Sequence, residues 1–92
     1  MNIVADMSLY PLKDQPVPDI IEFIHHLQQQ EDIEIVSNQL SSQLRGSFEA
    51  VTGAVNRCLR KAMERPHTVV LVVKYLNVEP ELERAPSLTP DS

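Results

Sequence analysis

"SNQLSSQLRGSFEAV", residues Ser37 to Val51, is the stretch on which the fold turns. Leu40 to Gly46 reads as a strand that folds back on a preceding one, Ile33 to Asn38, through a short polar hairpin near Asn38 and Gln39. Ser47 then suits a helix N-cap, because its hydroxyl can accept from a free backbone N–H of the first turn. Beyond it, Phe48, Val51, Val55, Leu59, Ala62 and Met63 form one apolar stripe at helical spacing. Arg57, Arg60, Lys61 and Arg65 crowd the C-terminal half, where cations complement the helix dipole, and Pro66 is expected to stop the helix.

Working outward, "TVVLVVKYLNV" from Thr68 to Val78 is a β-branched apolar run and reads as a last strand. On the N-terminal side, Asn2 to Tyr10 alternates: Ile3, Ala5, Met7 and Leu9 on one side, Val4, Asp6, Ser8 and Tyr10 on the other, which is the period of a half-buried strand. Pro11 is expected to end it. The prolines of "KDQPVPD" suit the entry to a helix, in which Ile20, Ile21, Phe23, Ile24 and Leu27 recur at helical spacing. The order strand, helix, strand, strand, helix, strand predicts an α+β, ferredoxin-like βαββαβ sandwich. A right-handed crossover between the first two strands leaves a gap that the third fills, so the sheet is four-stranded and antiparallel, in the order 4-1-3-2, with both helices on one face. Residues 1–78 form this domain, and the Pro-rich tail 79–92, with no period and few apolar groups, is expected to be mobile.

Ninety-two residues suffice for one core. With no Trp, only two Tyr and two Phe, and a net charge of −5, the chain has neither the stacking platform nor the basic groove that nucleic acid requires. Cys58 is the only cysteine, which rules out an internal disulfide and thiolate-pair metal sites; it reads as a small apolar residue on a helix face. No charged leader and no run of ~18 apolar residues is seen, so no membrane partner and a cytoplasmic location are expected.

Parity then separates two faces of the sheet. If Ile3, Ala5, Met7 and Leu9 face the helices, Asp6, Ser8 and Tyr10 look out from the open face; with Leu40 and Leu44 in the core, Ser41, Gln43 and Arg45 point out beside them. Val69 to Leu76 is apolar on both sides although it lies at a sheet edge, an aggregation hazard unless something covers it. A second copy is the expected cover, giving a homodimer or a dimer of dimers. Polar groups bounded by apolar walls fit a small-molecule site. Parity leaves two other readings open: a merely wetted face and a hydrogen-bonded subunit contact.

Two strings carry a resemblance: "SLYPL" from Ser8 to Leu12, and "SNQLSSQLRGS" from Ser37 to Ser47. In these elements and at this separation they resemble the YkoF-like family of thiamine and hydroxymethylpyrimidine binding domains, over roughly residues 3–78. The resemblance implies ferredoxin-like domains used in pairs, binding the aminopyrimidine of thiamine or its precursor without converting it and with no cofactor. By that likeness Ser8, Tyr10, Ser41, Ser42 and Arg45 are candidates for contacting the ligand or shaping its site. Two features depart from the pattern: the chain holds a single copy, so pairing requires association, and Asn38 stands where an acidic side chain is expected. An aminopyrimidine offers an exocyclic amine beside ring-nitrogen acceptors, which an amide such as Asn38 or Gln43 can match, while Asp6 can accept from the amine or balance a thiazolium. The candidate ligand-binding set is therefore Asp6, Ser8, Tyr10, Asn38, Ser41, Ser42, Gln43 and Arg45.

Other chemistries find less in the sequence. Arg45 with Asn38 matches the residue types of acylphosphatase, which shares this fold, yet "PLKDQPVPD" contains no glycine with which to cradle a phosphate. His25 and His26 are adjacent and cannot share a helix face; with His67 in a loop, no zinc-site spacing results. No catalytic or metal-binding residues are assigned. An assembly protein using only its sheet face, and a small cofactor-free enzyme of the dimeric ferredoxin-like kind, remain the alternatives.

Overall fold

The structure, a computed structural model, describes residues 1–38 and 40–77. Gln39, Val78 and the tail expected at 79–92 lie outside the described residues. The elements are β1 (Asn2–Pro11), α1 (Val17–Gln28), β2 (Ile33–Ser37), β3 (Ser42–Ser47), α2 (Phe48–Ala62) and β4 (Val69–Leu76). All sheet pairings are antiparallel and the strand order is β2-β3-β1-β4, which is the expected ferredoxin-like topology.

One face of the sheet carries the core. Ile3, Ala5, Met7 and Leu9 of β1 and Leu44 of β3 pack with Phe23 and Leu27 of α1 and with Val51, Ala54, Val55 and Cys58 of α2; Ile33, Ile35, Val69, Leu71 and Val73 join from the outer strands. Both helices therefore cover the same face. On α2 the buried stripe is Val51, Ala54, Val55 and Cys58, while Phe48 and Met63 at its ends are exposed, a rotation from the expected stripe that brings the smaller side chains against the sheet. Burial pushes the Cys58 thiol up, so it stays protonated and unreactive.

The prolines mark the end of β1 and the start of α1 as expected, and α2 stops short of its proline. Pro11 is the last residue of β1: it is buried and pairs with Val69, and because it lacks an N–H the next bond comes from Leu12, which donates to the Thr68 carbonyl at 2.9 Å. Helix α1 begins at Val17 with Pro16 as its N-cap and a proline in its first turn, where no N–H is needed. Helix α2 ends at Ala62, ahead of Pro66, with Met63 as C-cap; at the other end Ser47 Oγ accepts from the Ala50 N–H at 3.1 Å, as expected.

The largest departure is in the hairpin. Leu40 is 87% exposed and lies outside β3, which starts at Ser42. The Asn38 Oδ1 accepts from the backbone N–H groups of Leu40 (2.8 Å) and Ser41 (3.0 Å), and the Asn38 N–H donates to the Ser41 carbonyl at 3.0 Å. This side-chain-to-backbone turn holds Leu40 away from the sheet, because it satisfies the backbone groups that strand pairing would otherwise use.

Gly46, in the "LRGS" string, answers a close approach. A Cβ there would lie 2.9 Å from the Asp32 carbonyl oxygen, and Asp32 itself holds a left-handed φ of 63° at the entry to β2.

Candidate functional site

The open face of the sheet is polar at its centre. The register aligns Val36, Gln43, Asp6 and Lys74 across the four strands, and Glu34, Arg45, Val4 and Leu76 in the neighbouring row. Gln43 Nε2 donates to Asp6 Oδ1 at 2.8 Å and to Ser41 Oγ at 2.6 Å. Arg45 is paired with Glu34, its Nε 3.1 Å from Glu34 Oε2. Val4, flanked in register by Arg45 and Leu76, is buried there, apart from the main core.

The recess lies where β3 stops short of the end of β1, between the sheet and α1. Strand β1 pairs with β3 only as far as Met7 with Ser42, yet runs on beside β4 to Pro11. Ser8 to Pro11 consequently have no β3 neighbour, and a cavity of about 180 Å3 opens between them, the Asn38–Ser41 turn and the first half of α1. Ser8, Tyr10, Asn38, Ser41 and Ser42 line it, with an apolar floor from Met7, Leu9, Ile20, Phe23 and Ile24 and Leu40 at the turn. Ser8 Oγ crosses the gap to donate to the Leu40 carbonyl at 3.1 Å. Ser42 belongs to the helix-facing set, is buried, and shares a 2.8 Å hydrogen bond between hydroxyls with Ser37.

The structure thus divides the eight candidate residues. Ser8, Tyr10, Asn38, Ser41 and Ser42 converge on the recess; Asp6, Gln43 and Arg45 do not line it and are bonded to one another or to Glu34 on the adjoining face. The α1 residues of the floor were not among the candidates. Their signal was the surplus of apolar positions on α1, where Ile20 and Ile24 are only half-buried although they share the helical spacing of the core residues.

A second polar cluster sits on the helix side. Asp19, at the start of α1 and 9% exposed, lies 3.4 Å from Lys13 Nζ, 3.9 Å from Arg65 Nη1 and 2.8 Å from His67 Nε2. The His67 approach does not meet hydrogen-bond geometry, and Asp19 Oδ2 and His67 Nε2 find no other hydrogen-bond partner among the described residues. Arg65 also pairs with Glu22. The adjoining recess is about 10 Å3, roughly the space of one water. This cluster ties the connection after β1, the start of α1 and the entry to β4 together. Among the described residues, no group of three His, Cys, Asp or Glu is placed to hold a metal ion, and no helix is long and apolar enough to cross a membrane.

No protein-family model matches the sequence, and no curated protein does. Among solved structures the chain is similar to SP2199, a Streptococcus pneumoniae protein, at 25% identity with a TM-score of 0.78, over 90% of this chain and 92% of that one. A domain of unknown function, DUF77, from Bacillus cereus is 14% identical with a TM-score of 0.70, over 88% and 79% of the two chains. A Thermotoga maritima protein named for thiamine biosynthesis/salvage is 13% identical with a TM-score of 0.62, over 85% of each chain. At such identities the likeness is one of fold.

Proposed function

We propose that this chain binds, without converting it, the aminopyrimidine of thiamine or of its hydroxymethylpyrimidine precursor, in the recess between β1, the β2–β3 turn and α1. The observation that carries the reading is the convergence of Ser8, Tyr10, Asn38, Ser41 and Ser42 on one cavity with an apolar floor. The "SLYP" and "LRGS" strings, and a shared fold with a protein named for thiamine biosynthesis/salvage, support it. Titration calorimetry with each compound is the test. A dissociation constant near micromolar, about 8 kcal/mol of binding free energy, is expected. No heat at millimolar ligand removes the reading, and recovery of altered ligand replaces it with that of a cofactor-free enzyme.

The same reading includes self-association. Val70 and Val72 on the open face of β4 are exposed, as are Leu76 and Tyr75, along an edge strand that pairs with β1 on one side and with no element on the other among the described residues. The charged strand residues of that face, Asp6, Glu34, Arg45 and Lys74, cancel in a chain of net charge −5, so two copies meet there without like-charge repulsion. A homodimer or dimer of dimers through this region is expected by light scattering at micromolar concentration. Val72→Glu, which leaves the core untouched, is expected to give single chains. A wild-type mass of one chain ends the idea.

A further inference from the structure

The two amides beside the recess have their orientation set by their partners. Asp6, as a carboxylate, only accepts, so the Gln43 atom 2.8 Å from it is the NH2 nitrogen, and its second N–H is the one that reaches Ser41 Oγ. Ser41 is therefore an acceptor towards Gln43, and its own O–H donates to no partner among the described residues. Asn38 Oδ1 is likewise held by two backbone N–H groups, which leaves its NH2 as the free end. Both free groups are donors, and both residues line the recess. No Asp, Glu, Lys, Arg or His lines it among the described residues.

We propose that the chain Asp6–Gln43–Ser41 sets the specificity of the recess, by locking Ser41 as a hydrogen-bond donor so that the cavity takes an uncharged heteroaromatic ring by its acceptor edge. The proposal rests on the ligand-binding reading above and names the ligand more narrowly. Gln43 is a positioning residue: it acts on the ligand through Ser41 and does not line the cavity. A ring nitrogen finds Ser41 O–H and the Asn38 NH2 before it, whereas a thiazolium cation finds no counter-charge. The volume points the same way, since about 180 Å3 is below the ~300 Å3 at which pockets for larger ligands begin and suits one ring better than two. The free pyrimidine is thus preferred over thiamine.

Gln43→Glu tests this, because a carboxylate only accepts: Ser41 must then turn its O–H towards the new side chain and present lone pairs to the cavity. Placing that charge beside Asp6 can destabilise the sheet, so the deciding variant is Asp6→Asn with Gln43→Glu. There the new amide donates to the new carboxylate, restoring the bond across the strands while Ser41 stays reversed. Thermal unfolding establishes that the double variant is folded. The readout is calorimetry with hydroxymethylpyrimidine, with a carbocyclic analogue whose ring nitrogens are replaced by C–H, and with thiamine. In the wild type, loss of the ring nitrogens is expected to weaken binding by about 5- to 100-fold, and thiamine is expected to bind more weakly than the pyrimidine. In the double variant the pyrimidine loses that advantage over its carbocyclic analogue. Retained discrimination in the folded double variant, or thiamine binding as tightly as the pyrimidine, overturns the proposal while leaving ligand binding intact. If the wild type binds none of the three compounds, the ligand-binding reading itself fails.

Discussion

Leu44→Ala is expected to lower the unfolding free energy by about 3 kcal/mol, within the ~2 to 5 kcal/mol range for emptying a fully buried leucine site. Leu44 is wholly buried in β3, with Ala5 of β1 on one side and Ile35 of β2 on the other in register. Both neighbours are held in place by their strand pairing, so most of the cavity persists. For a domain of this size each kcal/mol moves the melting temperature by roughly 4 to 8 °C, which puts the drop at about 12 to 24 °C. Leu40→Ala is the matched control. The same substitution four residues earlier, at a side chain 87% exposed, is expected to leave the melting temperature unchanged within a degree or two. Equal losses at the two positions would mean that the turn does not hold Leu40 away from the core.

Asp19→Ala carries the other large effect. One carboxylate faces Lys13, Arg65 and His67, from three separate parts of the chain, and it lies in the first turn of α1, where negative charge also suits the helix dipole. Removing it leaves the Lys13 and Arg65 cations gathered without their common partner. Breaking a fully buried pair costs about 3 to 5 kcal/mol; here Lys13 and Arg65 are about one-third exposed and regain some hydration, so about 2 to 3 kcal/mol is expected in urea unfolding. Asp19→Asn, which keeps the volume and removes the charge, should reproduce most of the loss. Arg65→Ala combined with Asp19→Ala should fall short of the sum of the two single losses, because both remove the same contact. Strict additivity would show that the cluster is not a coupled unit.

How much of this was legible in the residues can be judged element by element. Strand alternation is a property of the backbone and separates the faces of β1 directly in Ile3, Ala5, Met7 and Leu9, whereas the two-sided apolar run of β4 marks a strand without saying which side meets the helices. Ser47 as an N-cap is equally local, since it needs only a hydroxyl and the next turn's N–H groups. Element order then left few topologies, and the ferredoxin-like one is observed.

The sequence by itself therefore determined the order of the elements, the two faces of the central strand and the polar character of its open side, all set by interactions within a few residues or by backbone periodicity. Only the tertiary structure decided where a cavity exists. That depended on β1 outrunning β3 by four residues, on the Asn38 side-chain oxygen turning the hairpin aside, and on α1 lying beneath the gap. It also turned His67, read as a loop residue, into a partner of Asp19 across 48 positions of chain. The physical reason is the same in each case: a void or a contact between distant residues is the difference between surfaces brought together by separate elements, and no periodicity along the chain encodes that difference.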